Sequence, residues 1–448
     1  MKRSSCARLL CLLCLALAFP LQLYAQAADP ALLSEINRIR AVDNHAHVPK
    51  VVAEGERADE EFDALPCPPE PDAVAFARAL PSNPEFVAAW RALYGYDHSD
   101  MGEAHVRELV ERKRRVRRDE GDRYPAWVLD KLGIDVMLAN RIAMGRGLDA
   151  ARFRWVPYDD ALLFPLDNAG LKRVNANRAY FFAREENLLR RYLSESRAAR
   201  RPATLAQYLS LVVTPTLERQ RRGGAVAVKF EAAYLRALDF DDAAQPEAAR
   251  VYARYARGGE PPAADYKTLQ DFLFRYVARE AGRLGLAIHI HTGNGCGNFF
   301  VLRGSDPVLL EPAINDPTLR KTTFVLVHGG EPFTEQAAFL LGKPNVYADF
   351  SAQTFLFSPR VLSDTLRYWL TLYPDKVLFG TDLFPGSPEI DWEEYGWQTT
   401  TTARHALAIA LTGMVRDEEI TRERAAEIAR LVMRENALKL YGLEGARK

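Results

Sequence analysis

The stretch AIHIHTGNG, residues 287–295, decides the fold. A short apolar run ends in His289 and His291 and then turns on glycine. Residues i and i+2 of a strand face the same side, so both imidazoles point one way. The run lacks polar alternation, which suits a parallel strand buried on both faces. Working outward, similar runs occur at Ile39–Asn44, Asp135–Asn140, Ala225–Glu231, Thr323–His328, Asn345–Phe350 and Val377–Thr381. A further one, less regular, falls in Ala161–Leu166 or just before it. Helical patterns such as Lys267–Leu284, Pro332–Leu341 and Pro359–Tyr373 lie between them. Strand–helix alternation implies a parallel sheet with crossover helices. Eight strands close a barrel, so the expected class is α/β, a (β/α)8 TIM-type barrel.

Two connections exceed a simple crossover. About residues 48–133 follow the first strand, and about 167–224 follow the third. The second has helical patterns at Arg178–Arg197 and Leu205–Gln220. Both insertions leave strand C-terminal ends, the face that carries barrel active sites. They are expected to form a lid or cap over a substrate pocket, or to make homo-oligomer contacts.

The remaining organisation is simple. Lys2, Arg3 and Arg8 precede the apolar run Leu9–Phe19 and the small-x-small triplet Ala25-Gln26-Ala27. This reads as a signal peptide over residues 1–27, with an uncleaved anchor as the alternative. The mature chain, residues 28–448, is then a single barrel domain in the periplasm or outside the cell. Over the full 448 residues, 59 basic and 59 acidic side chains balance, so the chain without this segment is weakly acidic. No basic stripe marks it for nucleic acid. Cys67 and Cys296 remain after cleavage, either as a disulfide or with Cys296 as a free thiol.

Polar donors gather at the ends of the apolar runs. His45 and His47 end the first in VDNHAHV, His328 the sixth in VLVHGG, and Asp382 the eighth in VLFGTD. Imidazole and carboxylate together suit Zn²⁺, as well as Fe²⁺, Mn²⁺ or Ni²⁺. A catalytic ion needs an open position for water, and a neighbouring carboxylate such as Asp382 can take the proton. In AVAVKFEAAY the small residues Ala225 and Ala227 share a face with Lys229 and Glu231, and that face suits the barrel interior. A buried lysine is costly unless paired or altered. Lys229 is expected to pair with Glu231 or Asp382, or to carry a carbamate that bridges two ions, with Glu231 as the alternative carboxylate.

With these residues in place, the chain resembles the amidohydrolase superfamily, in its amidohydrolase-related branch, from about Ala41 to Tyr441. The resemblance rests on the H-x-H of strand one, lysine on strand four, histidines on strands five and six and aspartate on strand eight. It implies His45, His47, Lys229, His291, His328 and Asp382 as metal ligands for one or two divalent ions, most simply Zn²⁺. His291 directly precedes Thr292-Gly293, where similar proteins place the strand-five ligand; His289 then holds a ligand or binds substrate. VKFEAAYLR and IHTGNG also resemble segments of fungal and plant proteins fused to a glutamine-synthetase-like domain. The expected function is hydrolysis of a C–N bond, amide or cyclic amide, in a small-molecule substrate, with Asp382 and His328 catalytic. The branch also contains single-metal decarboxylases, so non-oxidative decarboxylation is the alternative. Tyr234 and Arg236, beyond strand four, are expected to contact a substrate carboxylate or to form a structural loop pair.

Overall fold

The computed structural model describes residues 27–443 except 54, 71, 73 and 199. The expected export segment lies outside the described residues apart from Ala27. Among the described residues, no helix is long and apolar enough to cross a membrane.

Eight parallel strands form the core. They are β1 (Ala41–Ala46), β2 (Ile134–Asn140), β3 (Phe153–Val156), β4 (Ala227–Phe230), β5 (Ala287–His291), β6 (Phe324–Val327), β7 (Val346–Asp349) and β8 (Val377–Leu378). β1 to β3 pair in order, and so do β4 to β8. Main-chain hydrogen bonds continue across both gaps. Val226 N donates to Trp155 O (3.1 Å) and Lys229 N to Pro157 O (2.7 Å), which joins β3 to β4. Asn44 N donates to Phe379 O (2.9 Å) and Asp382 N to His45 O (2.8 Å), which joins β8 to β1. The strands therefore close a ring, the (β/α)8 barrel expected from the sequence.

Alternation assigns the two faces. Val42, Val136, Leu138, Ala227, Val325 and Val327 meet in one interior cluster. Val228 and Phe230 face the helices, where Phe230 meets Phe274 edge-on at 5.3 Å. That helix, Ala263–Leu284, ends at Gly285 in the left-handed conformation that glycine tolerates. The C-terminal helix Asn436–Tyr441 closes the lower end of the barrel, with Leu438, Leu440 and Tyr441 against the interior cluster.

The third strand differs from the sequence expectation. It is Phe153–Val156, and Asp160–Leu163 is a 3-10 turn instead. Arg154 and Trp155 are half-buried, so the true strand lacks a continuous apolar run. Leu162 to Phe164 are apolar for another reason, since the second insertion covers them. Phe164 meets Phe182 edge-on at 5.1 Å, and the Tyr208 hydroxyl donates to Leu162 O (3.0 Å). Within this insertion the helix expected at Leu205–Gln220 widens to a π-turn at Leu209–Val213. Pro215 follows at once and cannot donate a helical hydrogen bond, which accounts for the distortion.

Buried acids line the contact between the second insertion and the barrel. Asp160 Oδ2 accepts from Glu231 N (2.7 Å), and Asp159 Oδ1 accepts from Gln220 Nε2 (2.7 Å). Glu185 lies buried nearby on helix Ala176–Glu195. Burial raises the Asp159 carboxyl to about 7, against the opposing pull of its Gln220 hydrogen bond. The folded chain thus holds a proton that the unfolded chain releases near pH 4. Stability from this group is present at low pH and is lost as pH rises from about 4 to 7. Asp159→Asn removes the titration. At pH 8 it is expected to gain about 1–3 kcal/mol over the parent, and at pH 4 close to nothing. Unfolding by denaturant at the two pH values measures this, and an equal change at both contradicts it.

Candidate metal centre

The barrel brings the strand ends together at its upper mouth, and two buried carboxylates beneath that mouth fix the loops. Asp43 Oδ2 accepts from Thr381 Oγ1 (2.6 Å), and its Oδ1 accepts from Thr381 N (2.9 Å) and His45 N (3.2 Å). Burial raises this carboxyl to about 7, while those hydrogen bonds pull it down. Asp349 Oδ1 accepts from His328 N (2.9 Å), Ser351 N (3.0 Å) and Ser351 Oγ (2.5 Å), and its Oδ2 accepts from Asn44 Nδ2 (2.7 Å). Thus His45, His328 and Asp382 are positioned through main-chain contacts as well as their side chains. His328 and Asp382 both have positive φ, 67° and 58°. For non-glycine residues such backbone costs about 1–3 kcal/mol and clusters at functional sites.

Five ring and carboxylate groups converge. Asp382 Oδ1 lies 3.0 Å from His45 Nε2 and 3.3 Å from His47 Nε2. Its Oδ2 is 3.9 Å from His328 Nδ1. His291 Nδ1 and His328 Nε2 are 3.1 Å apart. Donors bound to one Zn²⁺ at about 2.1 Å sit about 3.0–3.4 Å from each other. His45 and His47 each lie at that spacing from Asp382 Oδ1, and His45, His328 and Asp382 offer ligand atoms all within 4.8 Å of one another, an arrangement that can hold an ion.

Hydrogen bonds behind the rings sharpen the fit. His291 donates its Nε2–H to Asn294 O (2.9 Å), so its Nδ1 carries a lone pair. Ser351 gives its hydroxyl proton to Asp349, so its oxygen accepts Nδ1–H from His328 at 2.9 Å. His328 Nε2 then also carries a lone pair. Two lone pairs facing at 3.1 Å require a proton or a cation between them. Burial, followed by Lys229, lowers His291 to about 3, which disfavours the proton. Burial lowers His45 and His328 as well, so these rings are neutral at pH 7, the form that binds metal. Burial also pulls His47 down, but Asp63 and Asp382 outweigh it and raise that ring overall. Burial pushes the Asp382 carboxyl up, and His328, His47 and Lys229 override it, so Asp382 remains ionised.

Lys229 is fully buried, with Nζ 3.2 Å from His45 Nε2 and 4.0 Å from Glu231 Oε1. Its nearest carboxylate among the ion pairs is therefore Glu231, at the edge of ion-pair range. Of the other predicted residues, His289 and Arg236 lie apart from the centre and Tyr234 borders it. His289 sits one layer deeper and bonds Tyr441 Oη at 2.7 Å through Nε2. Tyr234 packs on His291 (4.7 Å between rings), and its hydroxyl accepts from Cys296 N at 3.4 Å. Arg236 turns to the helix after β4, bonding Asp271 (2.7 Å) and Gln270 (3.0 Å).

Several contributing residues were not singled out from the sequence. Asn140 lies at the end of β2 with Nδ2 2.7 Å from His45 Nδ1. The same Nδ2 also donates to Ala46 O (3.3 Å), which fixes the orientation of the amide, and its Oδ1 has no partner. Tyr158, just after β3, places its hydroxyl 3.0 Å from His47 Nδ1. Both follow the rule that donors gather at strand ends, which could have found them. Asp63, in the first insertion, lies 3.3 Å from the same nitrogen and carries no sequence signal. Cys67 and Cys296 form a disulfide, which resolves the alternatives left by the sequence.

Comparison with known proteins gives a consistent result. No curated protein matches the chain in sequence. A Lactobacillus casei protein assigned as a metal-dependent hydrolase is 14% identical, superposes with a TM-score of 0.60, and covers 94% of this chain and 100% of its own. Uronate isomerase from Thermotoga maritima is also 14% identical, with a TM-score of 0.57, over 81% of this chain and 79% of its own. At such identity these two show the fold alone. The amidohydrolase family model matches residues 161–443, which include Lys229, His291, His328 and Asp382. The chain belongs to the amidohydrolase family.

Proposed function

We propose that the protein is an exported metal-dependent hydrolase that cleaves a C–N bond, amide or cyclic amide, in a small substrate. The observation that carries this reading is the convergence of His45 and His47 on Asp382 Oδ1, at 3.0 and 3.3 Å. Those three would hold the ion, with His291 and His328 facing it from the opposite side. A divalent ion there supplies Lewis acidity towards water and towards a substrate carbonyl. Asp382 is the most exposed of the three, at 15% of its side chain, so substrate and water reach it from the mouth. One of its oxygens serves the ligand set. The other accepts the proton that water loses on attack and returns it to the leaving nitrogen. His328 would hold the metal through Nε2, its Nδ1–H being committed to Ser351. The two insertions would cover the mouth, and Tyr234, beside His291, is placed to touch substrate.

Lys229 bears on the number of ions. Lys229 Nζ, 3.2 Å from His45 Nε2, donates to that nitrogen and competes with any ion for its lone pair. Addition of the neutral amine to CO₂ forms an N–C bond, releases one proton and leaves a carbamate anion. With that anion, Lys229 would join His45, His47, His291 and His328 in holding two ions. The loose approach of Lys229 to Glu231, 4.0 Å, favours a second reading, a single-ion non-oxidative decarboxylase with Lys229 unmodified. The N-terminal segment and the disulfide support an oxidising compartment, the periplasm or the exterior.

Metal analysis after expression with added Zn²⁺ tests the site. About two equivalents are expected for the bridged centre, about one for the decarboxylase. Less than about a tenth of an equivalent of any transition metal overturns both. Screening amides, lactams, dipeptides and aromatic acids with the loaded enzyme then separates hydrolysis from decarboxylation. Asp382→Asn is expected to cut the hydrolytic rate by about 10²–10⁴. Retention of activity within a factor of about three would remove Asp382 from the proton-accepting role.

A further inference from the structure

Asp63 reaches the metal centre from outside the barrel. Its Oδ2 lies 3.3 Å from His47 Nδ1, while His47 Nε2 lies 3.3 Å from Asp382 Oδ1. The segment that carries it is anchored on both sides. Four residues earlier, Asp59 pairs with the buried Arg141 guanidinium at 2.8 and 3.1 Å. Four residues later, Cys67 is joined to Cys296 in the loop after β5. Beyond the disulfide, Glu70 and Asp72 accept from the main chain and side chain of Asn298, at 2.7 and 3.0 Å. Leu65 N occupies the other oxygen of Asp63 (2.9 Å), so the carboxylate cannot swing freely.

We propose that Asp63 is a positioning residue for the metal, and that the Cys67–Cys296 disulfide holds it in place, so that metal affinity depends on the disulfide. The inference rests on the metal reading of His45, His47 and Asp382. An imidazole ligates through Nε2 only when its proton resides on Nδ1. A carboxylate at Nδ1 accepts that proton, fixes the ring and raises its basicity as a ligand. The Tyr158 hydroxyl is hydrogen-bonded to the same nitrogen at 3.0 Å, and the Asp63 carboxylate at 3.3 Å adds the charge that favours the proton on Nδ1. Asp63 arrives on a loop that no strand constrains, and the disulfide ties that loop across the mouth to the β5 loop four residues past Thr292. Opening the disulfide removes the covalent anchor on the C-terminal side of Asp63 and leaves there only the hydrogen bonds of Glu70 and Asp72 to Asn298.

The test is Zn²⁺ affinity of the full chain, read by competition with a chromophoric chelator at one neutral pH. Asp63→Ala is expected to weaken binding about 10–100-fold, the usual loss when such a partner is removed. Tyr158→Phe is expected to weaken it less. Replacing both cysteines by serine is expected to weaken binding by no more than Asp63→Ala does, and to add nothing when combined with it. Melting of the metal-free proteins separates misfolding from lost affinity, and Asp63→Asn, which retains the shape, should fall between parent and alanine. Parental affinity in Asp63→Ala overturns the positioning role and leaves the metal reading intact. An unchanged affinity in the cysteine pair, or an equal loss with and without Asp63, overturns the coupling to the disulfide. Absence of Zn²⁺ binding by the parent overturns this inference together with the site on which it rests.

Discussion

Asp382 is a ligand candidate and a structural clasp at once. Its main-chain N–H donates to His45 O, part of the seam that joins β8 to β1, while its carboxylate spans His45 and His47. The ring of strands therefore closes through the same residue that gathers the imidazoles. A shift of the seam by one residue would move His45 and His47 out of register with Asp382, because successive strand side chains point to opposite faces. The positive φ of Asp382 is a cost accepted at this junction.

The electrostatics follow from burial. Imidazoles, a lysine and a carboxylate share a largely buried space whose opening to the mouth lies at Asp382. Each ring is given a direction by a partner behind it: Asn140 for His45, Asp63 and Tyr158 for His47, Asn294 for His291, Ser351 for His328. Those partners come from β2, the first insertion and the β3, β5 and β7 loops. Ligand orientation is thus distributed over most of the mouth, and no single strand builds it.

Much of this was legible in the sequence. Buried parallel strands are continuous apolar runs, and donors at their ends stand out against Val, Ile and Phe, as in VLVHGG and VLFGTD. The candidate donors His45, His47, His291, His328 and Asp382 stand out for the same reason, and the structure brings them together at the mouth. The failures share a physical cause, which is that the deciding partner is remote. His289 has the same i, i+2 relation as His45 and His47, but its partner is Tyr441, 152 residues away. Arg236, read as a substrate contact or a structural loop pair, is held instead by Asp271 on helix Ala263–Leu284. β3 hid behind Arg154 and Trp155, and the apolar Leu162–Phe164 owed its character to helices of the second insertion. Asp63 sits in a stretch whose position is set by Arg141 and Cys296, neither of them local.

The seam also bears on how the chain reaches its folded state. Asp43 and Thr381 are bonded across a separation of 338 residues, and Tyr441 must arrive after them to fill the floor beneath His289 and Asn44. Contacts of such separation form late and slowly. Until they form, β1 and β8 are open edges with unpaired main-chain groups, which invite pairing with another chain. A growing polypeptide can pair β1 with β2 and β4 with β5 early, yet it cannot finish the barrel before its last strand and C-terminal helix exist. The assembly is for that reason most exposed to self-association just before completion.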